Sequence, residues 1–181
     1  MIPSHLPIFG IGFKALTVTC FLFNLMNLFT LLDDQTVVTN LEVKNKKQVI
    51  DKMVDMLSSK IGNEALEDVR YGVFERESVM STGVGKGLAI PHCKTKVVDE
   101  NYAVFAKLSK PLNFDSIDGE PVEVIFLLVG PDSKHSHHIK LLSRISRLMN
   151  SASFMSKILA SETSKAILEA FKEEEEKYFI H

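Results

Sequence analysis

The chain has 181 residues, of which 45% are hydrophobic and 24% are charged, and its formal net charge is -2 at pH 7. This length suits a single domain with a substantial core, and the near-neutral charge argues against the basic field of a nucleic-acid-binding domain. The cysteines, Cys20 and Cys93, are too few and too unpatterned for a disulfide framework or a zinc site, so a reducing, cytoplasmic setting is expected.

The segment from Ala15 to Leu32 is almost continuously apolar and is close to the length of a membrane span. Only Lys14 precedes it as a firm positive charge, no small-residue cleavage pattern closes it, and Asp33 and Asp34 follow at once. Such flanks are atypical of signal peptides and anchors. A membrane segment is therefore the less favoured interpretation.

Helical and extended patterns alternate along the rest of the chain. Asn45 is placed to cap a helix that ends near Gly62, and a second helix runs from Asn63 towards Glu77. Three further helices carry apolar repeats at residues 141–149, 154–159 and 167–171. Strands are predicted over residues 37–43, 88–90, 102–108 and 122–129. This mixture predicts an α/β domain.

An acidic run, Glu173–Glu176, stands at the end of the last predicted helix. Negative charge there opposes the helix dipole, so this end is expected to fray. We assign the run no role beyond solvation.

The most informative segment runs from Ser81 to His92, where a glycine-rich turn leads through a short apolar strand to Pro91. The proline fixes its own φ and biases Ile90 to be extended, so His92 is expected at the exit of the strand. Imidazole, with an unperturbed pKa of about 6.5, suits reversible nucleophilic work near neutral pH. The alternative is a strand-end histidine that only satisfies a local hydrogen bond.

Residues 76–92, with Arg76-Glu77 ahead of Ser81-Thr82-Gly83 and then the run from Gly87 to His92, carry a family resemblance. They resemble the phosphorylation site of enzyme IIA domains of the phosphoenolpyruvate phosphotransferase system, of the fructose, mannitol and nitrogen-regulatory type. The resemblance implies that His92 accepts a phosphoryl group, as tele-phosphohistidine, from a histidine phosphocarrier protein, with Arg76 as the cation beside it. Cys93 is a departure, since many family members have glycine there.

The resemblance extends from about Met26 to near the C-terminus. It implies the mannitol-type enzyme IIA fold, a single α/β domain with a mixed β-sheet flanked by helices. Residues 26–32 resemble the usual opening of these domains. We therefore expect residues 26–181 to form the IIA domain and residues 1–25 to be an apolar extension from a misplaced start.

Three histidines, His135, His137 and His138, form a second cluster. If a helix starts near Ser136, His138 stands at the top of the apolar stripe and His137 points elsewhere. No acidic or cysteine ligand lies at a convincing interval, which argues against a metal site. The resemblance implies that His138 supports the phosphoryl group, and we expect His135 and His137 to be exposed loop residues.

Two other motifs fail on spacing. Gly83, Gly85 and Gly87 lack the spacing of a dinucleotide fingerprint, and Gly85-Lys86 lacks the flanking residues of a Walker A loop. Cys93 beside His92 suggests a thiol nucleophile, but neighbours on a strand point to opposite faces. A cysteine hydrolase therefore stays a weak alternative.

The resemblance implies a phosphotransferase component that forms a phosphohistidine intermediate and needs no cofactor or metal. The absence of a fused transporter, IIB or carrier domain in the sequence favours a regulatory, nitrogen-type role acting on target proteins. One alternative is a sugar-specific (fructose or mannitol) IIA component that passes phosphate to enzyme IIB for uptake. Another is a binding module that is independent of phosphorylation. No nucleic-acid partner is expected, and membrane contact is expected to be indirect at most.

Overall fold

The computed structural model describes residues 27–179, with side chains through residue 177. The expectations for residues 1–25 and for a domain start at Met26 lie outside the described residues. No helix within residues 27–179 is long and apolar enough to cross a membrane.

After a short 3-10 turn at Leu28–Leu31, the chain forms one strand, two helices, five strands and three helices in that order. The strands are β1 (Val37–Leu41), β2 (Gly83–Gly85), β3 (Leu88–Ala89), β4 (His92–Thr95), β5 (Tyr102–Leu112) and β6 (Val122–Pro131). The helices are α1 (Lys46–Asp55), α2 (Asn63–Val79), α3 (His135–Met149), α4 (Ala152–Ala160) and α5 (Ser164–Phe179). A second 3-10 turn, Asp132–Lys134, leads into α3.

The centre of the sheet is the antiparallel pair β5 and β6, where Phe105 lies opposite Phe126. β1 runs parallel to β5, while β3 and β4 lie one after the other along β6 and parallel to it. β2 pairs antiparallel with β3 at the outer edge. The sheet is mixed and flanked by helices, so the predicted α/β fold is confirmed.

Helices cover both faces of the sheet. The core beneath α1 and α2 contains Met53 and Val69, and the core beneath α3, α4 and α5 contains Ile145, Phe154 and Phe171. The continuous apolar run of β6 reflects this arrangement, because a strand covered on both faces needs apolar side chains in both directions.

The first helix ends earlier than the sequence predicts. Asn45 caps α1 as expected, its side chain accepting a hydrogen bond from the Gln48 amide at 2.9 Å. The helix stops at Asp55 rather than near Gly62 because the next amides, such as that of Leu57, bond three residues back instead of four. Leu57 and Ile61 still face the core.

The acidic run on α5 is more than a solvated end, which corrects the expectation. Glu175 is 2% exposed, and its carboxylate accepts hydrogen bonds from the amides of Leu28 and Phe29 at 2.9 Å each. It also lies 3.5 Å from the Arg144 guanidinium. The carboxylate therefore ties the N-terminal 3-10 turn to the last helix.

Candidate functional site

His92 lies at the break between β3 and β4. It opens β4 opposite Leu128 of β6, rather than ending the preceding strand as predicted. The reason is that the ladder along β6 resumes after the break, with Pro91 offering its carbonyl to the Leu128 amide at 3.0 Å. The proline lacks an N–H and separates the two short strands.

The ring of His92 is held in one tautomer. Its Nδ1 lies 2.8 Å from the carbonyl oxygen of Ile90, and a carbonyl can only accept, so Nδ1 carries the proton. The lone pair then resides on Nε2, and the half-buried ring is positioned for reaction at that atom. The pKa of His92 is lowered, mainly by burial of the ring. The hydrogen bond to Ile90 and the charge of Glu77 act in the opposite direction, while the positive charge of Arg76 lowers the pKa further.

His138 lies beside His92 at the start of α3. The ring centroids are 5.9 Å apart with planes tilted by 44°, and His138 is 2% exposed. Burial, together with the charges of His92, Lys94 and His135, lowers the pKa of His138 to about 4. The ring is therefore neutral at pH 7 and faces His92 from the helix.

Arg76 lies in the last turn of α2 and lines the same cleft as His92. Its Nη1 donates to the carbonyl oxygen of Met80 at 2.9 Å, which ties the guanidinium to the chain just beyond the helix end. The remaining guanidinium donors are suited to phosphate oxygens. The structure thus brings Arg76, His92 and His138 together around one cleft. Their spacing in the sequence alone did not show this.

A cleft of about 580 Å³ opens over Arg76 and His92. Thr82 and Gly83 form part of its wall, and Ser143 and Ser146 of α3 form another part. A second cleft, of about 470 Å³, shares Arg76 and His92 and is also lined by His138. His92 is therefore reachable from the surface between α2 and α3.

Glu77 supports this wall from behind, a role that the sequence reasoning missed. Its buried carboxylate accepts hydrogen bonds from the amide and the hydroxyl of Thr82 and forms an ion pair with Lys46 at 2.8 Å. Lys46 also lies 3.1 Å from Asp115. The sequence did carry one sign of this role, because Glu77 follows Arg76 directly and lies on the face of the helix that is otherwise apolar.

The glycines of the motif shape the hairpin between β2 and β3. Lys86 and Gly87 both have positive φ, 54° and 75°, as a two-residue hairpin turn between β2 and β3 requires. Asp118 accepts a hydrogen bond from the Lys86 amide at 2.8 Å. Of the three glycines, Gly83 lines the cleft, and its amide donates to Ser81 Oγ at 3.2 Å.

Two residues near the site differ from their predicted settings. His135 and His137 belong to α3 rather than to a loop, because the helix begins at His135. His135 is exposed, and its Nδ1 lies 2.7 Å from Lys94 Nζ. Lys94 lines the second cleft with His92 and His138.

Cys93 points away from the site. Its sulfur lies 3.7 Å from the Val69 carbonyl oxygen, and its side chain packs against Gly72 of α2. Burial raises the pKa of the Cys93 thiol to about 12. The thiol and the His92 ring lie on opposite faces of β4, so they do not form a nucleophile and base pair.

Among the described residues, no group of three or more His, Cys, Asp or Glu side chains is arranged to hold a metal ion. The histidines around the site instead face one another and Lys94. Imidazole nitrogens can exchange protons and act as nucleophiles.

Residues 30–174 match the family described as "Phosphoenolpyruvate-dependent sugar phosphotransferase system, EIIA 2". The chain belongs to the EIIA type-2 family. A nitrogen regulatory protein of Bradyrhizobium diazoefficiens is 34% identical over 142 residues, which are 78% of this chain and 92% of that protein. The fructose-specific EIIABC component of Bacillus subtilis is 31% identical over 144 residues, which are 80% of this chain and 23% of that larger protein.

Solved structures of EIIA proteins share the fold. The nitrogen regulatory protein IIA-Ntr from Neisseria meningitidis superposes with a TM-score of 0.75 at 26% identity, over 80% of this chain and 98% of that one. The mannitol IIA of Escherichia coli gives a TM-score of 0.65 at 14% identity, over 77% of this chain and 98% of that one. The predicted mannitol-type EIIA fold is thereby confirmed.

Proposed function

We propose that this EIIA chain is a phosphocarrier of the nitrogen-regulatory type, in which Nε2 of His92 accepts a phosphoryl group from the phosphohistidine of a histidine phosphocarrier protein. The observation that carries the proposal is the 2.8 Å contact between His92 Nδ1 and the Ile90 carbonyl, which leaves Nε2 unprotonated. The product is a tele-phosphohistidine on a cytoplasmic phosphotransferase component.

The transfer needs little beyond alignment and charge neutralisation. The Nε2 lone pair attacks phosphorus as the bond from phosphorus to the donor's ring nitrogen breaks, and the donor nitrogen keeps that electron pair. No proton has to leave His92, because the attacking Nε2 is unprotonated and the proton on Nδ1 stays there, hydrogen-bonded to the Ile90 carbonyl oxygen. Positioning and electrostatic stabilisation supply most of the catalysis in phosphoryl transfers of this kind.

Arg76 and His138 are the groups suited to the incoming charge. The guanidinium of Arg76 binds phosphate oxygens as a planar donor in the shared cleft. The His138 ring lies 5.9 Å from the acceptor ring, centroid to centroid, which is close enough for it to contact an oxygen of a phosphoryl group on His92. A phosphoryl dianion there would raise the pKa of His138 and turn its ring into a charged donor.

The rim of the site suits a protein partner. Exposed apolar side chains surround the clefts: Val79, Met80, Val84, Ile117 and Ile139. Contiguous exposed apolar groups with a polar centre are typical of protein interfaces. We assign this rim to binding of the histidine phosphocarrier protein when the chain receives its phosphoryl group. The same rim binds the downstream protein afterwards.

The nitrogen-type role draws on the relatives that match most of their own length. The Bradyrhizobium and Neisseria proteins are both named nitrogen regulatory and are covered to 92% and 98% by this chain. A regulatory EIIA would bind target proteins according to its phosphorylation state. The similarity to a fructose-specific EIIABC component supports a second candidate, a sugar-specific IIA that passes phosphate to enzyme IIB.

We also propose residues 26–181 as the full domain, with residues 1–25 as an extension outside it. The family match, which begins at residue 30, and the tie between Glu175 and the amides of Leu28 and Phe29 support a start just before the 3-10 turn.

The buried, unpaired thiol of Cys93 supports the cytoplasmic location.

The test is phosphorylation of purified protein by phosphoenolpyruvate, enzyme I and a histidine phosphocarrier protein, followed by intact mass. The wild type should gain one acid-labile phosphoryl group, and His92→Gln should gain none. Running the sugar-type and nitrogen-type carriers separately distinguishes the two roles by the faster donor. A folded wild type that gains no phosphate from either carrier would support the phosphorylation-independent binding module instead.

A further inference from the structure

Three buried polar atoms without a hydrogen-bond partner meet behind the site. Among the described residues, the ring nitrogens Nδ1 and Nε2 of His138 and the side-chain oxygen of Asn101 all lack a partner. A buried polar group left unpaired destabilises the fold, so such a group is normally satisfied by a neighbour or kept for a function. Two of these atoms belong to the ring beside His92.

Gly130 shows that Asn101 and His138 face each other. A Cβ added to Gly130 would lie 2.4 Å from Asn101 Oδ1 and 2.7 Å from His138 Nδ1. The two atoms are therefore no more than about 5 Å apart across the glycine. The missing side chain of Gly130 opens the space between them. The two atoms are not hydrogen-bonded to each other in this structure, so a pairing between them requires a rotation of the Asn101 amide.

We propose that Asn101 is a positioning residue for His138, its amide oxygen accepting a hydrogen bond from His138 Nδ1–H so that Nε2 is the nitrogen presented to a phosphoryl group on His92. Only the presence of a phosphoryl group on His92 rests on the proposed function. The pairing of Asn101 with His138 is a property of the resting protein.

The pairing assigns the protons in both states. In the resting protein the neutral ring carries its proton on Nδ1, and Nε2 is bare. When a phosphoryl group with a charge of about -2 arrives on His92, the ring takes one proton from solvent at Nε2 and becomes an imidazolium. It then donates from Nε2 to a phosphoryl oxygen and from Nδ1 to Asn101, and loses the extra proton when the phosphoryl group leaves.

The test is the tautomer of His138, read from ring ¹⁵N shifts of the unphosphorylated protein in histidine-labelled NMR samples. Wild type should show a protonated Nδ1 and a bare Nε2 at pH 7. Asn101→Leu, which keeps the size but removes the acceptor, should shift His138 towards the Nε2–H form. Asn40→Leu places the same change at an exposed position of β1 and should leave the ring signals unchanged.

A second variant guards against loss of fold. Asn101→Asp keeps the shape, can only accept, and should hold the Nδ1–H form while raising the measured pKa of His138 by one unit or more. A wild-type ring in the Nε2–H form, or ring shifts unmoved in both folded Asn101 variants, would overturn the proposal. These readouts need no phosphoryl donor, so a failure of His92 phosphorylation would leave them interpretable.

Discussion

The Nδ1–H of His92 donates to the carbonyl oxygen of Ile90, two residues earlier, at 2.8 Å. The Ile90 amide in turn donates to the Thr82 carbonyl oxygen at 2.9 Å, and the Thr82 amide and hydroxyl donate to Glu77. A line of hydrogen bonds thus connects the His92 ring to a buried carboxylate on α2. It fixes the ring through the backbone of the residues just before it.

Glu77→Gln should lower both the free energy of unfolding and the rate at which His92 is phosphorylated. A glutamine offers one acceptor oxygen where the carboxylate offers two, and it leaves Lys46 without its buried partner. Hydrogen bonds to charged groups contribute about 1.5–3 kcal/mol, so we expect a loss of this order in the free energy of unfolding, measured by urea titration. The phosphorylation rate should also fall, because the hydrogen bonds that fix the His92 ring through Thr82 and Ile90 are weakened.

The matched control for Glu77 is Glu75→Gln, an exposed glutamate on the same helix. Surface changes of this kind usually stay within about 0.5 kcal/mol. Equal losses of stability in the two variants would show that the link from Glu77 to Thr82 has no special weight.

Arg76→Lys should separate charge from geometry. Lysine keeps the positive charge but lacks the planar, bidentate donor set of a guanidinium. Removing one oriented donor from a site of developing charge typically slows a reaction by about a hundredfold or more. We expect this fall in the rate of phosphorylation with little change in stability, because Arg76 is only half-buried. Full activity in the lysine variant would reduce Arg76 to a helix-end charge.

His138 should make the stability depend on pH. Its pKa is lowered to about 4 by burial and by the neighbouring charges, whereas an unfolded histidine titrates near 6.5. The unfolded chain therefore binds more protons between these values, and the stability contribution present above pH 6.5 is lost as the pH falls towards 4. The loss is on the order of 1–3 kcal/mol.

Urea titrations of wild type and His138→Gln across this pH range measure that contribution. The variant cannot titrate at this position, so its stability should fall less steeply on acidification. Parallel pH profiles for the two proteins would contradict the account of a neutral, buried ring at the start of α3.

Cys93 should be inert in the folded protein. Its thiol is buried, and its pKa is raised to about 12, so almost no thiolate is present at pH 8. In a Cys20→Ser background, a thiol reagent should leave native Cys93 unmodified and react with it fully in denaturant. Rapid modification of the native thiol would revive the cysteine hydrolase alternative.

Local sequence signals sufficed for much of the fold. The Asn45 cap, the apolar stripe that carries His138 inward and the continuous run of β6 are each visible in the chain. Each signal depends on residues a few positions apart, where periodicity and capping act. The break of the strand at Pro91 was harder to predict, because it depends on the pairing of His92 with β6, which lies far along the chain.

The contacts that join distant segments could not be predicted. Glu175 appeared to be one of four solvated glutamates, yet it holds amides 146 and 147 residues away. Asn101 carried no motif at all, and its place opposite His138 follows from the pairing of β5 with β6 and from the missing side chain of Gly130. Such pairings depend on tertiary packing, which a single sequence does not display.

The central claim is that the phosphoryl group resides on Nε2 of His92. We would phosphorylate the ¹⁵N-histidine-labelled protein with phosphoenolpyruvate, enzyme I and the carrier protein, and locate phosphorus by its coupling to ring nitrogens in NMR spectra. Coupling to Nε2 of His92, with Nδ1 still protonated, is the predicted result. Coupling to Nδ1 of His92, or to His138 or any other histidine, would contradict the account.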